Sequence, residues 1–242
     1  MNLRHRIRRL LWRMGIDAHR FSPEYSDLAR RRRLLRHFAI TTVLDVGANT
    51  GQFARELRED LGFEGEIVSF EPLAAAFAQL QTACRGDPGW TAVHCALGAE
   101  PGLRIINVAA NSCSSSLLDM LPSHRRAARD SDYVGEEHVE VRTLDSLFDS
   151  LFPAPAAGAF YLKIDTQGFE REVLRGAQNT LARIGTIQVE LSLVPLYRDA
   201  PLFIDMCELL RAQSYALVSL EPGFTDLETG QLLQVDGIFH RD

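Results

Sequence analysis

No run of about 18 apolar residues occurs in this 242-residue chain, so no segment reads as a membrane-crossing helix. The four cysteines, Cys84, Cys95, Cys113 and Cys207, are scattered and form no C-x-x-C pair. That argues against a zinc site or a disulfide framework and for a reducing compartment. The opening MNLRHRIRRLLWRMG is basic but has no continuous apolar core and no small-residue cleavage site, so it does not read as a secretory signal. Internal repeats are absent, as are the G-x-G-x-x-G and Gly-Lys-Ser/Thr patterns of dinucleotide and phosphate loops. Acid is scarce at the start: residues 1–40 carry 11 arginines against three acids, net +8, whereas the remainder carries −14. An acidic body argues against a nucleic-acid grip across its surface.

The basic residues make an arm, residues 1–39, distinct from a domain over 40–242. Leu3, Ile7, Leu10, Leu11 and Met14 fall at helical spacing, with Arg4, Arg6, Arg8, Arg9 and Arg13 between them. Such a helix can pack on the body with a solvated arginine face. It could also engage an anionic membrane or a partner through residues 1–15, although packing on the body is the commoner case. A second helix is expected over 24–38.

From residue 40 strands and helices alternate. Strands are expected at 42–47, 66–71, 90–96, 160–165 and 186–191, with helices at 52–61, 73–84, 169–183 and 201–212. This rhythm implies βαβ units and a mainly parallel sheet. The middle departs from it, with strands at 103–109 and 138–143, a short helix at 145–151 and a loop at 153–158. Residues 215–220 and 233–240 follow without an intervening helix, so they form an antiparallel hairpin. The expected fold is α/β: a Rossmann-like three-layer sandwich whose mostly parallel, seven-stranded sheet ends in an antiparallel C-terminal hairpin.

The link after the first strand is Asp45-Val46-Gly47-Ala48-Asn49-Thr50-Gly51. Its glycines allow a tight turn and close approach of a ligand to the backbone. An acid two residues before Gly47 disfavours a pyrophosphate and favours a cationic ligand. Glu71 ends the second strand, where an acid can accept from both ribose hydroxyls. S-adenosylmethionine, with its sulfonium and α-amino groups, matches this pair better than a dinucleotide does.

These residues belong to a wider resemblance. VLDVGANTGQF (43–53), IVSFEP (67–72), ALG (96–98), SSSL (114–117), VRTLDSL (141–147), LKIDTQGFEREVLRGA (162–177) and IQVEL (187–191) resemble the FkbM family of methyltransferases. The resemblance covers about residues 40–240 and leaves the arm outside. It implies a class I methyltransferase fold and S-adenosylmethionine-dependent methylation, generally of a hydroxyl oxygen. Family substrates include sugars of bacterial glycans and natural products. It also implies cofactor contacts at Asp45, Gly47, Ala48, Asn49, Thr50, Gly51, Glu71, Pro72, Ala96 and Leu97. One departure is Gln167, where the family often has glutamate.

Strand alternation puts Tyr161, Lys163 and Asp165 on one face and Leu162 and Ile164 on the other. In the class I sheet Lys163 would lie between the Asp45 and Glu190 strands, where neighbouring acids offset the cost of burying it. It can orient Asp45, Asp165 or Glu190, or snorkel to the sheet edge. A hydroxyl acceptor loses a proton as it is methylated, and a carboxylate in reach can take it. Asp165 is the first choice of base, Glu190 the second and Glu170 the third. Glu170 can also touch substrate or simply start the next helix.

Asp165, Glu170 and Glu190 could alternatively hold Mg²⁺, but no metal is expected. His94 and His240 read as strand residues. Ser112, Ser114 and Ser115 lie in an insertion over the strand ends, where they can bond a hydroxylated substrate or cap a turn. The expectation is therefore a cytoplasmic O-methyltransferase acting on a small-molecule or glycan hydroxyl, with an arm that can sit on the inner membrane face. The rivals are a nicotinamide-dependent oxidoreductase and a non-catalytic cofactor-binding scaffold.

Overall fold

A computed structural model of the chain describes residues 3–153 and 158–241. It divides into two compact units, Met1–Phe38 and Ala39–Asp242. The first holds α1 (Leu3–Arg13) and α2 (Asp27–His37). α2 starts where the Ser26 side chain accepts from the backbone N–H of Ala29, with Asp27 in the first turn and Arg36 and His37 in the last. Both ends thus complement the helix dipole. No helix among the described residues is long and apolar enough to cross a membrane.

The second unit is built on a sheet. In chain order it contains β1 (Ile40–Val46), α3 (Gln52–Arg55, continued by a π-helical turn over Glu56–Asp60), β2 (Glu66–Phe70), α4 (Ala74–Ala83), β3 (Trp90–Val93), β4 (Ala96–Leu97), β5 (Gly102–Ala109) and α5 (Pro122–Ala127). There follow β6 (Tyr133–Arg142), α6 (Leu144–Leu151), β7 (Ala159–Ile164), α7 (Glu170–Arg175), β8 (Ile184–Ser192), α8 (Phe203–Ala212), β9 (Ala216–Pro222) and β10 (Gln234–His240). The main sheet runs β3-β2-β1-β7-β8-β10-β9, and β10 alone runs against the direction of the other six strands. The strands are rich in Val, Ile and Leu because both faces of the sheet are covered. Leu44, Val46, Phe70, Leu162, Ile164, Ile187 and Val189 form one buried cluster with Leu147 and Phe148 of α6, Val173 and Leu174 of α7, and Met206 and Leu210 of α8.

The mixed α/β class, the seven strands and the C-terminal hairpin are as the sequence implies. Three details differ. The single strand expected over 90–96 is broken, because the N–H of Cys95 turns back to the carbonyl of Val93. Ala96–Leu97 then crosses to a second sheet, β4-β6-β5, whose β6 begins at Tyr133, before the expected 138.

The helix expected over 169–183 stops at Arg175. The carbonyl of Gly176 accepts from the N–H of Asp145 and the N–H of Thr180 turns to the Asp145 carboxylate, so the bond that would continue the helix is not made; a Cβ on Gly176 would also collide with the backbone carbonyl of Gly98. A 3₁₀ turn (Thr180–Arg183) follows, its start held by Asp145, which accepts from the N–H groups of Asn179 and Thr180. The loop expected at 153–158 falls mostly on 154–157, outside the described residues.

Candidate active site

Chain order in the sheet reverses between β1 and β7, and ligands of open α/β sheets bind at the carboxyl ends of such strands. Here those ends are Gly47 and Asp165. Gly47 has φ +78°, and a Cβ on it would meet the carbonyl of Asp165. Only glycine lets the two strand ends approach this closely. The turn is fastened by N–H groups of Gly47 and Ala48 to the carbonyl of Phe70, at 3.1 and 3.0 Å. Asn49 takes a left-handed φ of +47°, and its N–H donates to Glu71 Oε2 at 2.8 Å. Glu71 Oε1 accepts from the N–H of Leu73, also at 2.8 Å. Thr50 donates its N–H to Asn49 Oδ1, and Gly51 its N–H to the carbonyl of Ala48. Burial pushes the Glu71 carboxyl up to about 7, against the two N–H donors that favour its charged form.

Below the turn lies a charged floor. Asp45 has no exposed surface, and Ser69 Oγ donates to its Oδ2 at 3.3 Å. Trp90 Nε1 in turn donates to Ser69 Oγ at 2.9 Å. Lys163 Nζ stands 3.4 Å from Asp45 Oδ1 and 3.3 Å from Asp165 Oδ2, over the Phe53 ring. Burial alone would pull the Lys163 amine down. The Asp165 and Asp45 carboxylates outweigh it and hold the amine charged. Lys163 is therefore the buried counter-charge, ion-paired with two of the three acids named from the sequence. Asp45 meets Ser69 and Lys163 rather than open space.

Glu190 joins the floor through a residue whose part the sequence did not disclose. Gln167, at φ +54°, donates Nε2 to Asp165 Oδ1 and to Glu190 Oε2, both at 2.9 Å. Tyr197 donates to Gln167 Oε1 at 2.8 Å, and Ser116 Oγ to its backbone carbonyl at 2.7 Å. Gln234 on β10 adds a second donor to Glu190 Oε2 at 2.7 Å. Burial, then the charges of Asp165, Glu170 and Asp236, push the Glu190 carboxyl well above the usual range. The departure at 167 thus replaces a third acid with an amide that bridges two.

Glu170 is only 4% exposed, and its Oε1 accepts from the N–H groups of Thr166 and Gly168 and from Thr166 Oγ1. It braces the turn that aims Asp165. Ser114 is also buried; its Oγ accepts from Asn111 Nδ2 and pairs with His124 Nε2 at 3.2 Å. Ser115 Oγ accepts from the N–H of Ala109. Ser112 instead reaches the glycine turn, where Asn49 Nδ2 donates to its Oγ at 3.0 Å. Pro72 pairs its carbonyl with His94 Nε2, while Ala96 and Leu97 are buried in β4. His240 Nδ1 pairs with Thr186 Oγ1 at 2.8 Å. Among the described residues no three His, Cys, Asp or Glu side chains are placed to hold a metal ion.

The strand order, the glycine turn at the switch point and the acid after β2 together define a class I methyltransferase fold. A family model, the methyltransferase FkbM domain, matches residues 45–217. The chain belongs to the FkbM methyltransferase family. Among solved structures, the FkbM methyltransferase of Methylobacillus flagellatus KT is similar in fold, at 15% identity and a TM-score of 0.51. The match covers 82% of this chain and 44% of that one, so this chain spans less than half the length of that relative. An rRNA methylase from Streptococcus thermophilus is 8% identical at a TM-score of 0.45, covering 89% of this chain and 96% of that one. A putative rRNA methylase from Clostridium thermocellum is 10% identical at a TM-score of 0.46, covering 89% and 95%. No curated protein matches the chain.

Proposed function

We propose that the chain is a cytoplasmic S-adenosylmethionine-dependent O-methyltransferase whose acceptor is a hydroxyl of a saccharide, glycan or secondary metabolite. The observation that carries this is the Asp165–Gln167–Glu190 bridge at the strand ends beside the glycine turn. The residues suit the cofactor. Each Glu71 oxygen holds one backbone donor and keeps a lone pair for a ribose hydroxyl. The floor sets Asp45 and Asp165 against the single cation of Lys163, an excess of acid that favours a cationic ligand.

Bound there, S-adenosylmethionine would supply an electrophilic methyl group. Asp165, with about a third of its side chain exposed, accepts the acceptor hydroxyl's proton as the oxygen forms its new bond. Gln167 fixes the carboxylate's direction, and Lys163 holds its other oxygen. Much of the remaining rate comes from positioning.

Calorimetric titration with S-adenosylmethionine and with NAD, followed by transfer of labelled methyl to a panel of hydroxylated acceptors, tests the reading. Binding of the first cofactor and an ether product are expected. Binding of NAD alone overturns the reading, and so does a methylated amine. Because burial pushes the Glu71 carboxyl up to about 7, cofactor affinity should rise as pH climbs through that value and level off once the carboxylate is charged. Glu71→Gln should bind more weakly and lose that dependence.

A further inference from the structure

We propose that α1 is an interfacial membrane anchor that lies along an anionic bilayer, its apolar stripe in the acyl boundary and its arginines among the headgroups. At about 100° per residue, Ile7, Leu10 and Leu11 fall on one arc, which Met14 extends past the helix end. Ile7, Leu10 and Met14 are 51%, 59% and 66% exposed. Isolated apolar side chains on a surface are ordinary, but a continuous stripe on one helix face marks a contact.

The charges point the same way. α1 has no acid, and the first acid of the chain is Asp17. Arg8 lies 3.8 Å from Asp17, whereas Arg6, Arg9 and Arg13 have no acid within ion-pair reach among the described residues. These three line an open groove with Ile7 and Leu10, so unneutralised guanidinium groups border uncovered apolar side chains. Away from that stripe, Trp12 rests its ring under the Arg8 guanidinium at 4.9 Å and gives its indole N–H to Asp17.

A nucleic acid would take the arginines but leave Ile7, Leu10 and Met14 in water. An apolar protein groove would cover the stripe but leave three guanidinium groups without anions. Lipid phosphates and acyl chains satisfy both at once. With 11 residues, α1 is far too short to span a bilayer and lies in its plane.

The full chain should co-sediment with vesicles of equal parts phosphatidylcholine and phosphatidylglycerol and stay largely in solution with phosphatidylcholine alone. Exchanging Arg6, Arg9 and Arg13 for glutamine should weaken binding on the order of 100-fold, given the attraction of each arginine to an anionic surface. The double variant Ile7→Glu, Leu10→Glu should abolish it, with S-adenosylmethionine affinity and thermal unfolding unchanged as controls for the body. Two results overturn the proposal: equal binding to both vesicle types, or no binding to the anionic vesicles, including the case of a concentration-dependent dimer that the Leu10→Glu change dissociates. That dimer would assign the stripe to a second copy of the chain.

Discussion

Asp165→Asn should lower kcat by about 10²–10⁴-fold while the protein still folds and binds S-adenosylmethionine. Asparagine keeps the shape of the side chain and an oxygen for Gln167 Nε2, but it cannot take a proton. The neighbouring Glu190 offers the contrast. Burial and three surrounding acids raise its carboxyl above the usual range, which favours its protonated form. Glu190→Gln imitates that protonated form and should keep most of the turnover. Single-turnover rates, with cofactor affinity measured separately, tell the two apart. Full turnover in Asp165→Asn would remove it as the base. A large loss in Glu190→Gln with a normal Asp165→Asn would move the role to Glu190.

Lys163→Met should cost about 3–5 kcal/mol of stability, the usual result of stripping a buried ion pair of one partner. Asp45 has no exposed surface, and Ser69 would be its remaining donor. Burial already pushes its carboxyl up, and loss of the ammonium removes the chief opposing influence. The sign of the pH effect follows. An acid whose folded pKa is raised binds more protons folded than unfolded between the two values, so its stability falls as pH rises through that window. The deficit of the variant should be small near the unfolded carboxyl value and complete above the raised one. Urea midpoints across a pH series check this. Adding Asp45→Asn should recover much of the loss, a coupling that only contacting residues show. A midpoint that matches the parent at every pH would mean that Lys163 carries no structural charge.

Local pattern disclosed the parts of this site that lie on strands. Two-residue alternation placed Lys163 and Asp165 on one face, and the strand order of the family set Asp45 beside them, as the register Asp45–Lys163 shows. Gln167, Tyr197 and Gln234 carry no such signature. Their roles arise from sequence-distant donors that converge on two carboxylates, and no spacing announces that convergence. The serines were legible as a polar stretch, but not their division of labour: Ser112 latches the glycine turn while Ser114 and Ser115 hold their own loop. The pattern carries the helix after Asp165 too far because Gly176 is tolerable in a helix, and no local signal shows that Asp145 takes its carbonyl and the Thr180 N–H.

The buried ammonium has one more consequence. Of the 26 basic side chains, Lys163 is the sole lysine; the rest are arginine. Amine-directed acylating reagents need an accessible, uncharged nitrogen, and Lys163 is only 6% exposed, with its amine held as a cation. The folded chain should therefore resist acylation at that side chain and accept one such label once the floor opens. Labelling against time would then read the opening of the active-site floor directly, with no probe introduced.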